Sequence, residues 1–144
     1  MDIIEIPFVL EIYGLGGIAV GKDYVGTAFG LSGKVWQLVK SNNMKNKGLN
    51  VWVYEPGEII FTGVELLEPF HEDVGLERKV ISIQKYAYLK HIGPYSLIKV
   101  SGKSMRDELR KKGFEIILPY IEIYGHWTTD ESKLETELIM CLKQ

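Results

Sequence analysis

The sequence predicts an α+β fold: duplicated β-α-β-β units related by a pseudo-twofold axis, with antiparallel sheet or sheets and two long helices around a central cleft. Three observations predict it. Strand-like and helix-like segments run in the order strand, helix, strand, strand, and that order then repeats. The tripeptide Ser32-Gly33-Lys34 recurs as Ser101-Gly102-Lys103, an offset of 69 (101 − 32 = 69). The same offset pairs Phe29 with Ile98 and Trp36 with Met105, so apolar positions of the two helical segments correspond. A chain of 144 residues reads as a single domain, with repeat one at about 1–70 and repeat two at about 78–144.

The elements follow from local pattern. Ile3–Tyr13 is rich in Ile, Val and Phe and reads as a first or edge strand, with Pro7 near its start. Gly14, Gly16 and Gly17 predict a bend or bulge, after which Ile18–Val20 resumes strand character. Leu31, Val35 and Leu38 fall at i, i+4, i+7 and predict a helix from about Ala28 to Lys45, with Thr27 as N-cap and Gly48 beyond its end. Leu49–Tyr54 and Ile59–Leu67 read as strands joined by the turn Glu55-Pro56-Gly57-Glu58. Pro69–Glu77 is polar and predicts a linker between the halves. Arg78–His91 reads as one long strand ended by Gly93-Pro94. Ile98, Gly102, Met105 and Leu109 share one stripe of a second helix, Tyr95–Lys112, closed by Gly113. Glu115–Trp127 and Leu134–Leu142 are the last two strands, separated by a polar turn.

Composition removes several function classes. Net charge is −2, from 17 basic and 19 acidic residues, so no basic excess exists to neutralise phosphates and direct DNA binding is not expected. No apolar run reaches the ~18 residues of a membrane span, and the acidic N-terminus lacks the basic start of a signal peptide. The single Cys141 allows no internal disulfide, fits a cytoplasmic location and reads as a small buried apolar residue.

Motifs for bound phosphate or metal also fail. Gly102-Lys103-Ser104 resembles the end of a phosphate-binding loop, but the position that needs the first glycine is Leu97. The glycines of Gly14–Gly21 do not fit a dinucleotide fingerprint. His71, His91 and His126 lack ligand spacing, and His71-Glu72-Asp73 reads as a solvated loop. No serine or cysteine sits in a nucleophile-elbow context. Neither a cofactor nor a metal is expected.

The aromatic residues carry more. Alternation along Glu115–Trp127 puts Tyr120, Glu122 and Tyr124 on one face of the strand, and Ile121 and Ile123 on the other. Trp52 and Tyr54 likewise share a face in the first half. A carboxylate between phenols is either a solvated outer face or an aromatic-walled cation site with the acid as counter-charge. Each aromatic taken singly reads as core. Two matched aromatic faces, one with a central acid, are what a hydrophobic cation pocket requires.

The segments His91-Ile92-Gly93-Pro94-Tyr95, ahead of a helix, and Pro119-Tyr120-Ile121-Glu122-Ile123-Tyr124, after it, resemble the GyrI-like (gyrase-inhibitory-protein-like) small-molecule-binding family. That family includes effector-binding domains of AraC- and MerR-type multidrug regulators. The resemblance is strongest over Tyr86–Tyr124 and looser in the first half, through Val51–Pro56 and Gly63-Val64-Glu65. It implies the duplicated fold and a central pocket whose strand glutamate meets cationic, lipophilic or planar compounds. The glutamate corresponds to Glu122 and the following aromatic position to Tyr124. Trp52, Tyr54, Trp36, Phe61, Tyr88 and Tyr95 join them, with Tyr120, as candidate ligand-binding residues, while Gly93-Pro94-Tyr95 is expected to be a structural turn. Family regulators carry a helix-turn-helix domain ahead of this module; none fits here, so a stand-alone small-molecule binder is expected, more a binder than an enzyme. Two competing functions remain open: a hydrolase of small electrophiles using Glu122 as general base on water, and a protein-interaction module such as a topoisomerase modulator.

Overall fold

The computed structural model describes residues 1–144. The chain forms β1 (Asp2–Ile4), β2 (Phe8–Ile18), α1 (Tyr24–Ser41), β3 (Asn50–Glu55), β4 (Ile59–Val64), β5 (Glu77–Ile83), β6 (Tyr86–Ile92), α2 (Ile98–Lys111), β7 (Ile116–Tyr124) and β8 (Glu135–Leu142). All eight strands pair antiparallel in a single sheet, in the order β1-β6-β8-β7-β3-β4-β2-β5. Neither helix is long and apolar enough to cross a membrane.

Connectivity dictates how this sheet is shaped. β5 lies at one edge and β6 next to the other, yet only Gln84 and Lys85 join them. Three Cα steps reach at most about 11 Å, so the sheet must curl until its ends meet. Phe8 of β2 and Tyr86 of β6 accordingly touch, with ring centroids 5.5 Å apart. The face inside the curl is dry. Leu10, Ile12, Ile81 and Ile83 from one end pack there with Val51, Val53, Phe61, Ile121, Ile123 and Ile139 from the middle. Each such side chain, fully buried, contributes about 1.5–3 kcal/mol.

The opposite face carries the helices. The apolar stripe of α2 (Ile98, Met105, Leu109) packs with Leu138, Met140 and Leu142 of β8 and Ala87 of β6. The α1 residues Val35 and Val39 pack with Val64 of β4 and Met44. Each helix therefore covers one half of the sheet. The central pair, β3 and β7, lies between them, and there the face opens into a cavity.

Several boundaries differ from those the sequence predicts. Arg78–His91 is not one strand: it breaks at Gln84-Lys85, and its halves go to opposite ends of the sheet. Each half alternates in strand fashion, but the inward phase slips across the break, from Ile81 and Ile83 to Tyr86 and Tyr88. The glycines after Tyr13 do not interrupt β2. Gly14 pairs with Gly63, and a Cβ on Gly14 would lie 1.8 Å from the Thr62 carbonyl oxygen, so the glycine is there for close backbone approach. Helix α1 starts four residues before Ala28, capped by Asp23 and not by Thr27, because the Gly26 N–H donates to Asp23 Oδ1 at 3.0 Å. The Pro69–Glu77 segment is not wholly solvated: Phe70, Val74 and Leu76 pack against the α1–β4 cluster.

Candidate ligand-binding site

Strand register builds the site. On β3 and β7, Trp52 lies opposite Glu122, Tyr54 opposite Tyr120, and Asn50 opposite Tyr124. These six side chains share the face that carries the helices, while Val51, Val53, Ile121 and Ile123 point into the curl. They floor a cavity of about 980 Å³ between α1 and α2, whose walls include Phe29, Ser32, Tyr95, Arg106 and Leu118. Its rim is apolar and open to solvent, with Val25 and Phe29 on one side and Tyr95 and Leu118 on the other.

Glu122 is 5% exposed. Its Oε1 accepts hydrogen bonds from the hydroxyls of Tyr54 at 2.9 Å and Tyr124 at 2.8 Å, and its Oε2 from Tyr120 at 2.8 Å. Hydrogen bonds to a charged acceptor contribute about 1.5–3 kcal/mol each. Three of them offset the several kcal/mol that burying a carboxylate costs. Burial first, then the Glu122 charge and its hydrogen bonds, push the phenols of Tyr54, Tyr120 and Tyr124 far above the ordinary tyrosine value. The phenols are thus held as donors.

The rings form a connected wall. Trp52 meets Tyr124 edge-on at 5.0 Å and Phe29 at 5.5 Å. Tyr54 meets Tyr120 at 5.2 Å, and Tyr95 meets Tyr124 at 5.6 Å. The Trp52 indole N–H, in a side chain 7% exposed, is buried with no hydrogen-bond partner.

Of the candidate residues, Glu122, Tyr120, Tyr124, Trp52, Tyr54 and Tyr95 come together on the cavity. Phe61, Tyr88 and Trp36 do not. Phe61 pairs with Val53, and alternation turns it into the curl, away from Trp52. Tyr88 pairs with Ile139 on that same inner face, where its hydroxyl donates to Glu137 at 2.6 Å. Trp36 follows Phe29 along α1 but lies past the end of the cavity. It packs with the Val35–Val39–Val64 cluster and donates its indole N–H to Asn50.

Residues that sequence reasoning passed over also line the cavity. Asn50 was legible by alternation from Trp52 and Tyr54. Tyr24 was hidden because the helix start falls earlier than its apolar stripe. Arg106 sits one turn after Gly102, a position that pattern alone does not mark.

The histidines serve the framework. His91, 7% exposed, accepts from the Ser101 hydroxyl at Nδ1 (2.7 Å) and donates from Nε2 to the Pro94 carbonyl (3.1 Å). The carbonyl can only accept, which fixes this tautomer. His91 thereby ties the Gly93-Pro94 turn to α2, and Gly93 adopts φ +136° there. His126 bonds the Lys47 carbonyl at 3.1 Å. No three His, Cys, Asp or Glu side chains come together as metal ligands. Cys141 lies in the dry core, where burial pushes its thiol up.

No family model matches the chain, and no curated protein matches it in sequence. Solved structures share its fold. SAV2435 bound to tetraphenylphosphonium superposes with a TM-score of 0.64 at 16% identity, over 99% of this chain and 94% of that one. The EcmrR C-terminal domain does so with a TM-score of 0.66 at 15% identity, over 96% and 97%. A hydrolase from Listeria innocua gives 0.55 at 14% identity, over 99% and 91%. At such identities the likeness is one of fold.

Proposed function

We propose that this protein binds lipophilic small molecules that are cationic or planar, in the manner of a GyrI-like effector-binding domain. Glu122 is the counter-charge and the surrounding rings supply cation–π contacts, each about 0.5–2 kcal/mol. The observation that carries the proposal is a carboxylate 5% exposed at the floor of a ring-lined cavity of about 980 Å³. The bound tetraphenylphosphonium of SAV2435, a protein of the same fold, supports it. Three phenol donors already occupy the Glu122 oxygens, which does not favour a base activating water.

The reading takes residues 1–144 as a single domain of two duplicated units. The strand order supports this: β6-β8-β7 on one side of the sheet answers β2-β4-β3 on the other.

Calorimetric titration with tetraphenylphosphonium, and with triphenylphosphine oxide as a neutral analogue, tests the binding function. Two unit charges ~5 Å apart at an effective dielectric of ~20 interact by about 3 kcal/mol, which desolvation reduces. Glu122→Gln is expected to weaken the phosphonium about ten- to a hundredfold and the oxide by less than about threefold. Equal loss for both compounds would remove the charge from the account.

A further inference from the structure

The cavity has a second charged pole. Arg106 of α2 lines it half-buried, and Lys99 lines it one helical stretch earlier, at the solvent edge. On α2 Lys103 pairs with Asp107 at 2.7 Å, and just past its end Lys112 pairs with Glu108 at 3.0 Å, whereas Arg110 and Lys111 stand in solvent. Arg106 has no such partner and makes no hydrogen bond within the protein, so its five N–H donors are unspent. Its guanidinium folds back over Gly102, where a Cβ would meet Arg106 Nη1 at 3.4 Å, in ordinary contact. Arg106 and Tyr120, whose phenol donates to Glu122 Oε2, line the same cavity.

Glu55 is engaged with Lys79 at 2.6 Å. That leaves Glu122 as the unpaired carboxylate at the floor and Arg106 as the half-buried cation, with Lys99 exposed at the solvent edge, so the cavity carries charges of both signs. An amphoteric ligand is complementary to it. The unpartnered Trp52 indole N–H is a further donor in the same walls.

We infer that the cavity is dipolar and that Arg106 forms an anion subsite. The ligand class it fits is an aromatic zwitterion: a delocalised cation over the Glu122 floor and a carboxylate, sulfonate or phosphate against the guanidinium. This rests on the binding function proposed above and names the ligand class within it.

Rhodamine B, a cationic xanthene bearing a free carboxylate, and its ethyl ester, the same cation without the anion, form a matched pair. Fluorescence anisotropy at low and at physiological salt measures both. The acid is expected to bind about tenfold or more tightly than the ester, the ratio that one hydrogen bond to a charged group supplies. Arg106→Gln should erase that preference by weakening the acid alone, and Arg106→Lys should keep part of it. Circular dichroism checks that each variant is folded. The preference should fall only modestly with salt, because the guanidinium is half-buried. An ester that binds as well as the acid, or an Arg106→Gln variant that weakens both dyes equally, overturns the anion subsite. Glu122→Gln weakening both dyes in that case leaves the binding function standing. If the wild-type protein binds neither dye, the zwitterion class falls, and the tetraphenylphosphonium titration decides the binding function separately.

Discussion

Raising the pH tests the carboxylate cage without any ligand. Tyr54, Tyr120 and Tyr124 each donate to Glu122 and each has its ionisation pushed far above the ordinary tyrosine value, chiefly by burial and then by the Glu122 charge. In the unfolded chain these phenols ionise near pH 10. Below that pH both states hold the proton and the stabilisation is complete. Above it the unfolded chain sheds three protons that the folded protein keeps, so stability falls as pH rises toward the folded-state values. Each group contributes a slope of about 1.4 kcal/mol per pH unit, and the three together about 4 kcal/mol per unit. For a domain near the lower end of the usual 5–15 kcal/mol range, unfolding is expected between about pH 11 and 12. Absorbance at 295 nm reports phenolate and far-ultraviolet circular dichroism reports the fold. The difference between wild type and Tyr54→Phe, Tyr120→Phe or Tyr124→Phe isolates each phenol. Their phenolate signal should appear only together with unfolding, and each substitution should lower the alkaline slope by about a quarter, because the Tyr88 phenol, pushed up by burial and by Glu137, adds a share of its own. A phenolate signal from any of the three near pH 10, with the circular dichroism still native, refutes the cage.

Two further predictions separate framework from site. Phe61→Ala empties a position buried inside the curl and should cost about 3–5 kcal/mol in denaturant unfolding, while leaving the affinity of the folded protein for tetraphenylphosphonium unchanged. Gly14→Ala forces a methyl group against the Thr62 carbonyl in the middle of the β2–β4 ladder, and should lower stability by at least about 3 kcal/mol. A soluble, equally stable Gly14→Ala protein would show that the two strands can separate there.

Much of this architecture was legible because local pattern and register agree. Alternation alone placed Tyr120, Glu122 and Tyr124 on one face, and the same rule placed Trp52 with Tyr54. Which faces meet is a matter of pairing, and pairing is set by distant residues. Nothing within β4 shows that Phe61 stands opposite Val53 and not opposite Trp52. Tyr88 and Trp36 lie away from the cavity for the same reason: composition marks an aromatic, but only the register and the helix position say which compartment receives it. The break at Gln84-Lys85 was masked because both halves alternate in strand fashion; its one local trace is the change of inward phase from Ile81 and Ile83 to Tyr86 and Tyr88. Pro119 lies within a register irregularity between Ile116 and Tyr120, which is where a central strand tolerates proline.

The cavity follows from how the helices divide the sheet. With α1 seated over β4 and β2, and α2 over β6 and β8, the central strands have no helix above them and their side chains must form a surface of their own. An apolar surface there would invite a helix or another chain to close the gap. The chain instead sets a carboxylate at the centre and commits three neighbouring phenols to it. Those phenols then have no hydrogen left for a ligand, and three of the roughly four acceptor positions on Glu122 are taken. A primary ammonium, which needs several strong acceptors to replace its water, finds one free carboxylate position and otherwise only neutral phenol oxygens. A delocalised cation needs none; it gains from the negative field of the carboxylate and from ring faces whose hydroxyls are polarised toward that charge. On this argument the proposed selectivity for bulky, weakly hydrated cations comes from hydrogen bonds the protein has already made to itself. Freeing one acceptor by Tyr120→Phe should therefore shift preference toward alkylammonium ligands relative to tetraphenylphosphonium.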